Sequence, residues 1–192
     1  MGTWYERRGA GEPLVLLHPG MADARAFDPN IDALAERFQV YTPERRGHGR
    51  TPDVDGPITY DGMARDTIEF LQTIVGGPAH LLGCSDGAIV ALQTALLRPD
   101  FVRRLVLVAG PTLTACDLAR IASRTLVMIG DDDEVSLEHA AELYRGIPDA
   151  ELAVVPGTSH GLLVEKPALC NAIVLDFLTK DPVPQMAPIR RA

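Results

Sequence analysis

The sequence predicts an α/β fold in which a doubly wound, mostly parallel β-sheet is flanked by helices. Apolar runs of strand length alternate along the chain with amphipathic stretches of helix length, which is typical of βαβ units. Runs such as Leu14–Leu17 are continuously apolar, which indicates parallel strands covered on both faces. Right-handed crossovers would then place helices on both sides of the sheet.

The elements follow one another in a regular order. A strand around Trp4–Arg8 is expected to form an antiparallel edge. Further strands are predicted at 14–17, 39–42, 80–84, 104–110, 125–130 and 151–155. Helices are predicted at 31–38, 61–75, 86–97, 136–144 and 167–178. In the helix 61–75, apolar residues recur at helical spacing and Gly76-Gly77 provides the stop.

Residues 1–180 are expected to form one domain, because neither a repeat nor a linker divides the chain. A chain of 192 residues is long enough to bury a large core, roughly 70% of the surface of the unfolded chain. The tail 181–192 is rich in proline and has no hydrophobic period, so we expect it to be loosely attached.

Composition narrows the class of protein. The net charge of −8 argues against a nucleic-acid partner. No apolar run reaches the roughly 20 residues of a membrane span, and the N-terminus lacks the layout of a secretory signal. The three scattered cysteines predict a reduced, cytoplasmic protein without a metal site. The sequence leaves the oligomeric state open.

The run LLGCSDGAIVAL at 81–92 predicts a nucleophilic serine. Ser85 stands between a strand and a helix, at the strand end where parallel sheets present their ligands. Such a sharp turn strains the serine backbone, and only small residues such as Gly83 and Gly87 fit where helix and strand pass each other. The turn would also aim the N–H of Asp86 at the space beside the hydroxyl. By itself the run also fits an ordinary glycine-rich turn, so partners are required.

A serine becomes a nucleophile when a histidine, oriented by a carboxylate, takes its proton. Acids 131–134 follow the strand 125–130, and His160 follows the last strand. The order serine, acid, histidine is the one expected for this architecture. The acidic run lacks the layout of a calcium loop, so a metal is not expected there. The other histidines are predicted to be structural or solvated: His18, His48, His80 and His139.

From about Trp4 to Leu178 the chain resembles the α/β-hydrolase fold family. The similar motifs are LLHPG (16–20), ERRGHGRT (44–51), GCSDGA (83–88), GDDDEV (130–135) and GTSHG (157–161). The resemblance implies that the acid is Asp133, with Asp132 as the runner-up. It also implies an oxyanion hole formed by the N–H groups of Gly20 and Asp86, with Met21 as the fallback. Pro19 has no N–H to offer.

The chain departs from the family pattern in two places. The segment 110–124 is too short for a lid domain, and the N-terminal edge of the sheet is short by at least one strand. The resemblance implies a cofactor-free carboxylesterase-like serine hydrolase acting on small-molecule esters. Alternatives on the same scaffold are a perhydrolase or haloperoxidase-like enzyme, a slow ligand-sensing protein, and an inactive fragment.

Overall fold

The computed structural model of the chain describes residues 2–110 and 114–182. These residues form seven strands: β1 Tyr5–Arg8, β2 Glu12–Leu17, β3 Phe38–Pro43, β4 Ala79–Cys84, β5 Val102–Val108, β6 Arg124–Gly130 and β7 Ala150–Val155. They pair into one sheet of order β1-β3-β2-β4-β5-β6-β7, in which β1 is antiparallel and the other neighbours are parallel. The predicted fold class is therefore confirmed, including the antiparallel edge.

Helices cover both faces of this sheet. Neighbouring strand residues point to opposite faces, so Leu81 joins one buried cluster and Leu82 the other. The helices are α1 Asp28–Ala35, α2 Tyr60–Phe70, α3 Asp86–Leu97, α4 Ala115–Leu118, α5 Leu137–Gly146, α6 Leu162–Glu165 and α7 Pro167–Thr179. The first cluster packs α2, α3, α4 and α5 against the sheet, and the second packs α1, α6 and α7.

Two helices differ most from their predicted bounds, and α5 and α7 differ by one or two residues at an end. The helix predicted at 31–38 begins earlier, at Asp28, because Pro29 is favourable in a first turn, and it ends before Phe38, which pairs within β3. The helix predicted at 61–75 is α-helical to Phe70 and then widens into one π-helical turn. It ends at Gly76, whose φ of 81° is the left-handed conformation of a C-terminal glycine.

The connection between β5 and β6 is short. Within its described part it carries the helix α4 and leads directly into β6, so the described residues hold no lid domain between these strands. The predicted tail lies outside the described residues from 183 onward. Among the described helices, none combines the length and apolar composition that a membrane crossing requires.

Candidate active site

The turn between β4 and α3 holds Ser85 in a strained conformation. Its φ of 52° and ψ of −119° lie outside the regions that residues with a side chain favour, at a cost of about 1–3 kcal/mol. The Ser85 N–H donates to the carbonyl of Val108 at 2.8 Å, and the Ser85 carbonyl accepts from the N–H of Ala88 at 2.8 Å. The neighbouring strand and the first turn of α3 therefore hold the strained residue in place.

The glycines on either side of Ser85 meet a steric requirement. A methyl group at Gly83 would collide with the carbonyl of Gly87, and one at Gly87 would collide with the backbone of Leu17 and His18. The obstacles are backbone atoms, which cannot turn aside as a long side chain can. The structure therefore confirms that the close approach of helix and strand requires glycine at positions 83 and 87.

Ser85, His160 and Asp133 form one hydrogen-bonded chain. The Oγ of Ser85 lies 3.0 Å from Nε2 of His160, and Nδ1 of His160 lies 2.8 Å from Oδ1 of Asp133. An ionised carboxylate can only accept, so this network assigns the ring proton to Nδ1 and leaves Nε2 free to accept from the serine. The Asp133 side chain is fully buried, whereas that of His160 is 30% exposed. The arrangement can remove a proton from Ser85.

The four acids after β6 have different partners. Asp131 accepts the N–H of Thr158 at 3.0 Å, and such backbone donors hold the pKa of Asp131 below its usual value. The Asp132 N–H donates to the carbonyl of Thr158 at 3.0 Å, and Asp132 is exposed. The structure therefore brings Asp133, and not the runner-up Asp132, to Nδ1 of His160. Glu134 lies on the other side of the ring, with Oε1 3.5 Å from Nε2.

Side chains that the sequence did not single out anchor the loop around His160. Glu165 accepts from the Ser159 N–H at 2.7 Å and lies 2.5 Å from its hydroxyl, and these contacts lower the pKa of Glu165. Lys166 donates to the carbonyl of Pro156 at 2.6 Å. These hydrogen bonds at Pro156 and Ser159 hold the loop that carries His160 in place. No sequence pattern marks these contacts, because an ordinary glutamate at the end of α6 and the lysine that follows it look like solvated surface charges.

The two predicted oxyanion donors are neighbours. Asp86 is the first residue of α3, where a backbone N–H has no acceptor within its own helix. Gly20 packs so closely on the Asp86 carboxylate that a methyl group at Gly20 would collide with it. The fallback Met21 has a φ of 52° and a fully exposed side chain.

A tyrosine and an arginine that sequence reasoning missed also lie at this site. The hydroxyl of Tyr60 donates to Oδ1 of Asp86 at 2.8 Å. Arg45 is only 5% exposed, and burial lowers its pKa to about 10. Arg45 belongs to the motif ERRGHGRT at 44–51, and nothing in such a basic stretch predicts which arginine is buried. The negative charge of Asp86 acts in the opposite direction to burial and favours the charged guanidinium.

Three other histidines have hydrogen-bond partners other than Ser85. His18 is fully buried, and burial lowers its pKa to about 4. Nδ1 of His48 donates to the carbonyl of Arg46 at 2.9 Å. His80 is buried near the start of β4, with Nε2 3.3 Å from Glu12. Across residues 2–110 and 114–182, no group of three His, Cys, Asp or Glu side chains is placed to hold a metal ion.

Comparisons with known proteins agree with this fold. A family model described as "Alpha/beta hydrolase family" matches residues 14–122. A protein of Azorhizobium caulinodans provisionally named a carbamate hydrolase is 39% identical over 108 residues, which are 56% of this chain and 40% of that protein. One of the same provisional name from Caulobacter segnis is 31% identical over 149 residues, 74% of this chain and 56% of that protein. The mouse serine hydrolase BPHL is 35% identical over 109 residues, 54% of this chain and 38% of that protein.

These matches cover only part of each relative, so the chain spans about half the length of the curated relatives it matches. Solved structures share the fold at lower identity. An enol-lactonase from Burkholderia xenovorans LB400 superposes with a TM-score of 0.88 at 18% identity, over 93% of this chain and 98% of that one. A meta-cleavage product hydrolase from Pseudomonas fluorescens IP01 superposes with a TM-score of 0.87 at 19% identity, over 92% and 93%.

Proposed function

The chain belongs to the alpha/beta hydrolase family, and from that premise we propose that it is a serine hydrolase cleaving carboxylic esters of small molecules, a carboxylesterase of the class EC 3.1.1. The observation that carries the proposal is the chain of hydrogen bonds from Ser85 Oγ through His160 to the buried Asp133, at 3.0 and 2.8 Å. Nucleophile, base and orienting acid lie at the carboxyl ends of three strands of one sheet.

In the proposed mechanism the Ser85 oxygen attacks the ester carbonyl while Nε2 of His160 takes the hydroxyl proton. Asp133 keeps the imidazole in the tautomer that can accept it and stabilises the imidazolium. The N–H groups of Asp86 and Gly20 stabilise the oxyanion of the tetrahedral intermediate. His160 then passes its proton to the leaving alcohol, which leaves an acyl-enzyme on Ser85. A water deprotonated by His160 hydrolyses that intermediate, and the proton returns to Ser85.

Carbamates are a second candidate class of substrate. The two matched bacterial proteins that are provisionally named carbamate hydrolases favour it. The same three residues would attack the carbamate carbonyl, and His160 would protonate the leaving amine instead of an alcohol. Because a carbamate carbonyl is less electrophilic than an ester carbonyl, we place esters first.

The test is hydrolysis of p-nitrophenyl esters, acetate through octanoate, by wild type and Ser85→Ala. The variant should lose nearly all turnover, because removal of a triad serine typically costs about 10⁶-fold in kcat. Ser136→Ala is the matched control, since Ser136 is an exposed serine that caps α5. It should keep wild-type turnover. More than a few per cent of wild-type activity in Ser85→Ala would exclude this mechanism.

Two further assays separate the alternatives. N-aryl carbamates, whose leaving amine is an aniline, would show whether carbamates are turned over faster than esters by the same proteins. Acetate with hydrogen peroxide would reveal perhydrolase activity, which uses the same serine. A folded wild-type protein that turns over none of these substrates would leave the ligand-sensing protein and the inactive fragment as alternatives.

A further inference from the structure

Two side chains hold the carbonyl oxygen of Pro19. Nδ1 of His18 lies 2.8 Å from this oxygen, and Nη2 of Arg45 donates to it at 2.9 Å. Pro19 and Gly20 share one peptide unit, so the carbonyl held here belongs to the same plane as the Gly20 N–H. In a trans peptide that N–H points away from the carbonyl. Whatever fixes the carbonyl therefore also fixes the direction of the N–H.

Two contacts of His18, to the Arg45 N–H and to the Pro19 carbonyl, favour one tautomer, and Nη2 of Arg45 lies 3.1 Å from Nδ1 beside the shared Pro19 oxygen. The backbone N–H of Arg45 donates to Nε2 of His18 at 3.1 Å, so Nε2 is the acceptor and Nδ1 carries the proton. That proton is available to the Pro19 carbonyl. Burial lowers the pKa of His18 to about 4, which keeps the ring neutral and preserves this arrangement near neutral pH.

An ion pair does not account for the burial of Arg45. Its two neighbours in the turn have carboxylate partners: Arg46 pairs with Asp66 at 2.5 Å and Arg50 with Glu44 at 2.5 Å. Among the described residues, no ion pair includes Arg45, and its Nη1 is buried without a hydrogen-bond partner. A buried cation without a partner is costly. The guanidinium instead donates to the Pro19 carbonyl and lies against the His18 ring, with Nε 3.5 Å from Nε2 and Nη2 3.1 Å from Nδ1.

We propose that Arg45 is a positioning residue, which holds the Pro19 carbonyl inward so that the Gly20 N–H faces the acyl oxygen of the substrate. The inference rests on the proposed function, in which Gly20 is an oxyanion donor. If the peptide unit between Pro19 and Gly20 flipped, its carbonyl oxygen would face the developing negative charge and repel it. A charge-assisted bond also polarises the peptide, which makes the Gly20 N–H a stronger donor.

The test compares Arg45→Met with the matched control Arg46→Met, which removes an arginine from the same turn. Each protein hydrolyses an activated ester and the thionoester with the same acyl and alcohol groups, with active sites counted by titration. Sulfur is a weak acceptor, so turnover of the thionoester depends little on the oxyanion donors. Arg45→Met should lower kcat for the ester by about 10- to 100-fold, part of the loss on removing a donor outright. KM and thionoester turnover should change by less than about threefold by the same reasoning.

Arg46→Met should leave the ratio of ester to thionoester turnover at the wild-type value. Arg45→Gln, whose amide can still donate to Pro19, should recover part of the ester kcat, and it replaces Arg45→Met as the test variant if the latter does not fold. The proposal is overturned if the folded variants at Arg45 keep the wild-type ratio or lose both activities equally. If wild type shows no Ser85-dependent turnover, the proposed function fails and this inference fails with it.

Discussion

Nδ1 of His160 lies 2.8 Å from Oδ1 of Asp133, and the other carboxylate oxygen of Asp133 is buried without a hydrogen-bond partner in the described structure. This contact selects one acid from a run of four. An uncompensated buried carboxylate oxygen would be costly for stability alone. The Asp133 carboxylate does lie at Nδ1 of His160, which is where the acid of a catalytic triad must lie.

We therefore predict different effects for two neighbouring substitutions. Asp133→Asn should lower kcat for p-nitrophenyl acetate by about 10⁴-fold, because an amide facing Nδ1 stabilises the wrong tautomer of His160. Asp132→Asn, one residue away and exposed, is the control and should stay within about twofold of wild type, as surface substitutions usually do. A larger loss in Asp132→Asn than in Asp133→Asn would assign the acid to the other residue.

The steric requirement at the serine turn predicts a loss of stability. Gly87→Ala should lower the free energy of unfolding by about 3 kcal/mol or prevent folding, because the new methyl group meets the backbone of β2. Gly77→Ala is the matched control, since no atom lies within 4 Å of the position of its methyl group. Urea denaturation measures both variants. Equal stability of the two would show that the turn can relax around an added methyl group.

The buried His18 predicts a dependence of stability on pH. Its pKa is about 4 in the folded chain against 6.5 as the ordinary value. Between these values the unfolded chain binds a proton that the folded chain does not. The free energy of unfolding therefore keeps its full value with respect to His18 above pH 6.5 and falls as the pH is lowered toward 4. The loss amounts to about 3 kcal/mol, from 2.5 pKa units at 1.36 kcal/mol each.

Urea unfolding of wild type and His18→Gln between pH 7.5 and 4.5 measures this term. The free energy of unfolding should fall more steeply in wild type than in the variant. Other titrating groups, such as the buried His80, are present in both proteins and cancel in the difference. Parallel pH profiles would mean that the pKa of His18 is the same in the folded and the unfolded chain.

The cysteines should differ in reactivity. Burial raises the pKa of Cys84 to about 12 and also raises that of Cys170, whereas Cys116 is exposed. We predict that a thiol-specific disulfide reagent modifies one thiol rapidly in the folded protein and the other two only on unfolding. Cys116→Ser should abolish the rapid phase. A rapid phase that persists in this variant would place a second thiol at the surface.

Most of the elements could be predicted because their signals are local. The helix predicted at 86–97 has these bounds in the structure, and the strand predicted at 125–130 differs by one residue from β6. The spacing of apolar residues and the glycines around Ser85 are patterns of a few neighbouring residues, so they can be recognised in the sequence. The start of α1 was predicted three residues late, because Pro29 was not used as a helix-start signal.

The sequence by itself determined the α/β architecture, the strained turn at Ser85 and the place of His160 after the last strand. Only the tertiary structure decided that Asp133 meets His160 across 27 positions and that Arg45 turns inward to His18 across another 27. The reason is physical. Neighbouring acids, or neighbouring arginines, have the same local preferences, and they are distinguished only by which atoms of distant segments the folded backbone brings to them.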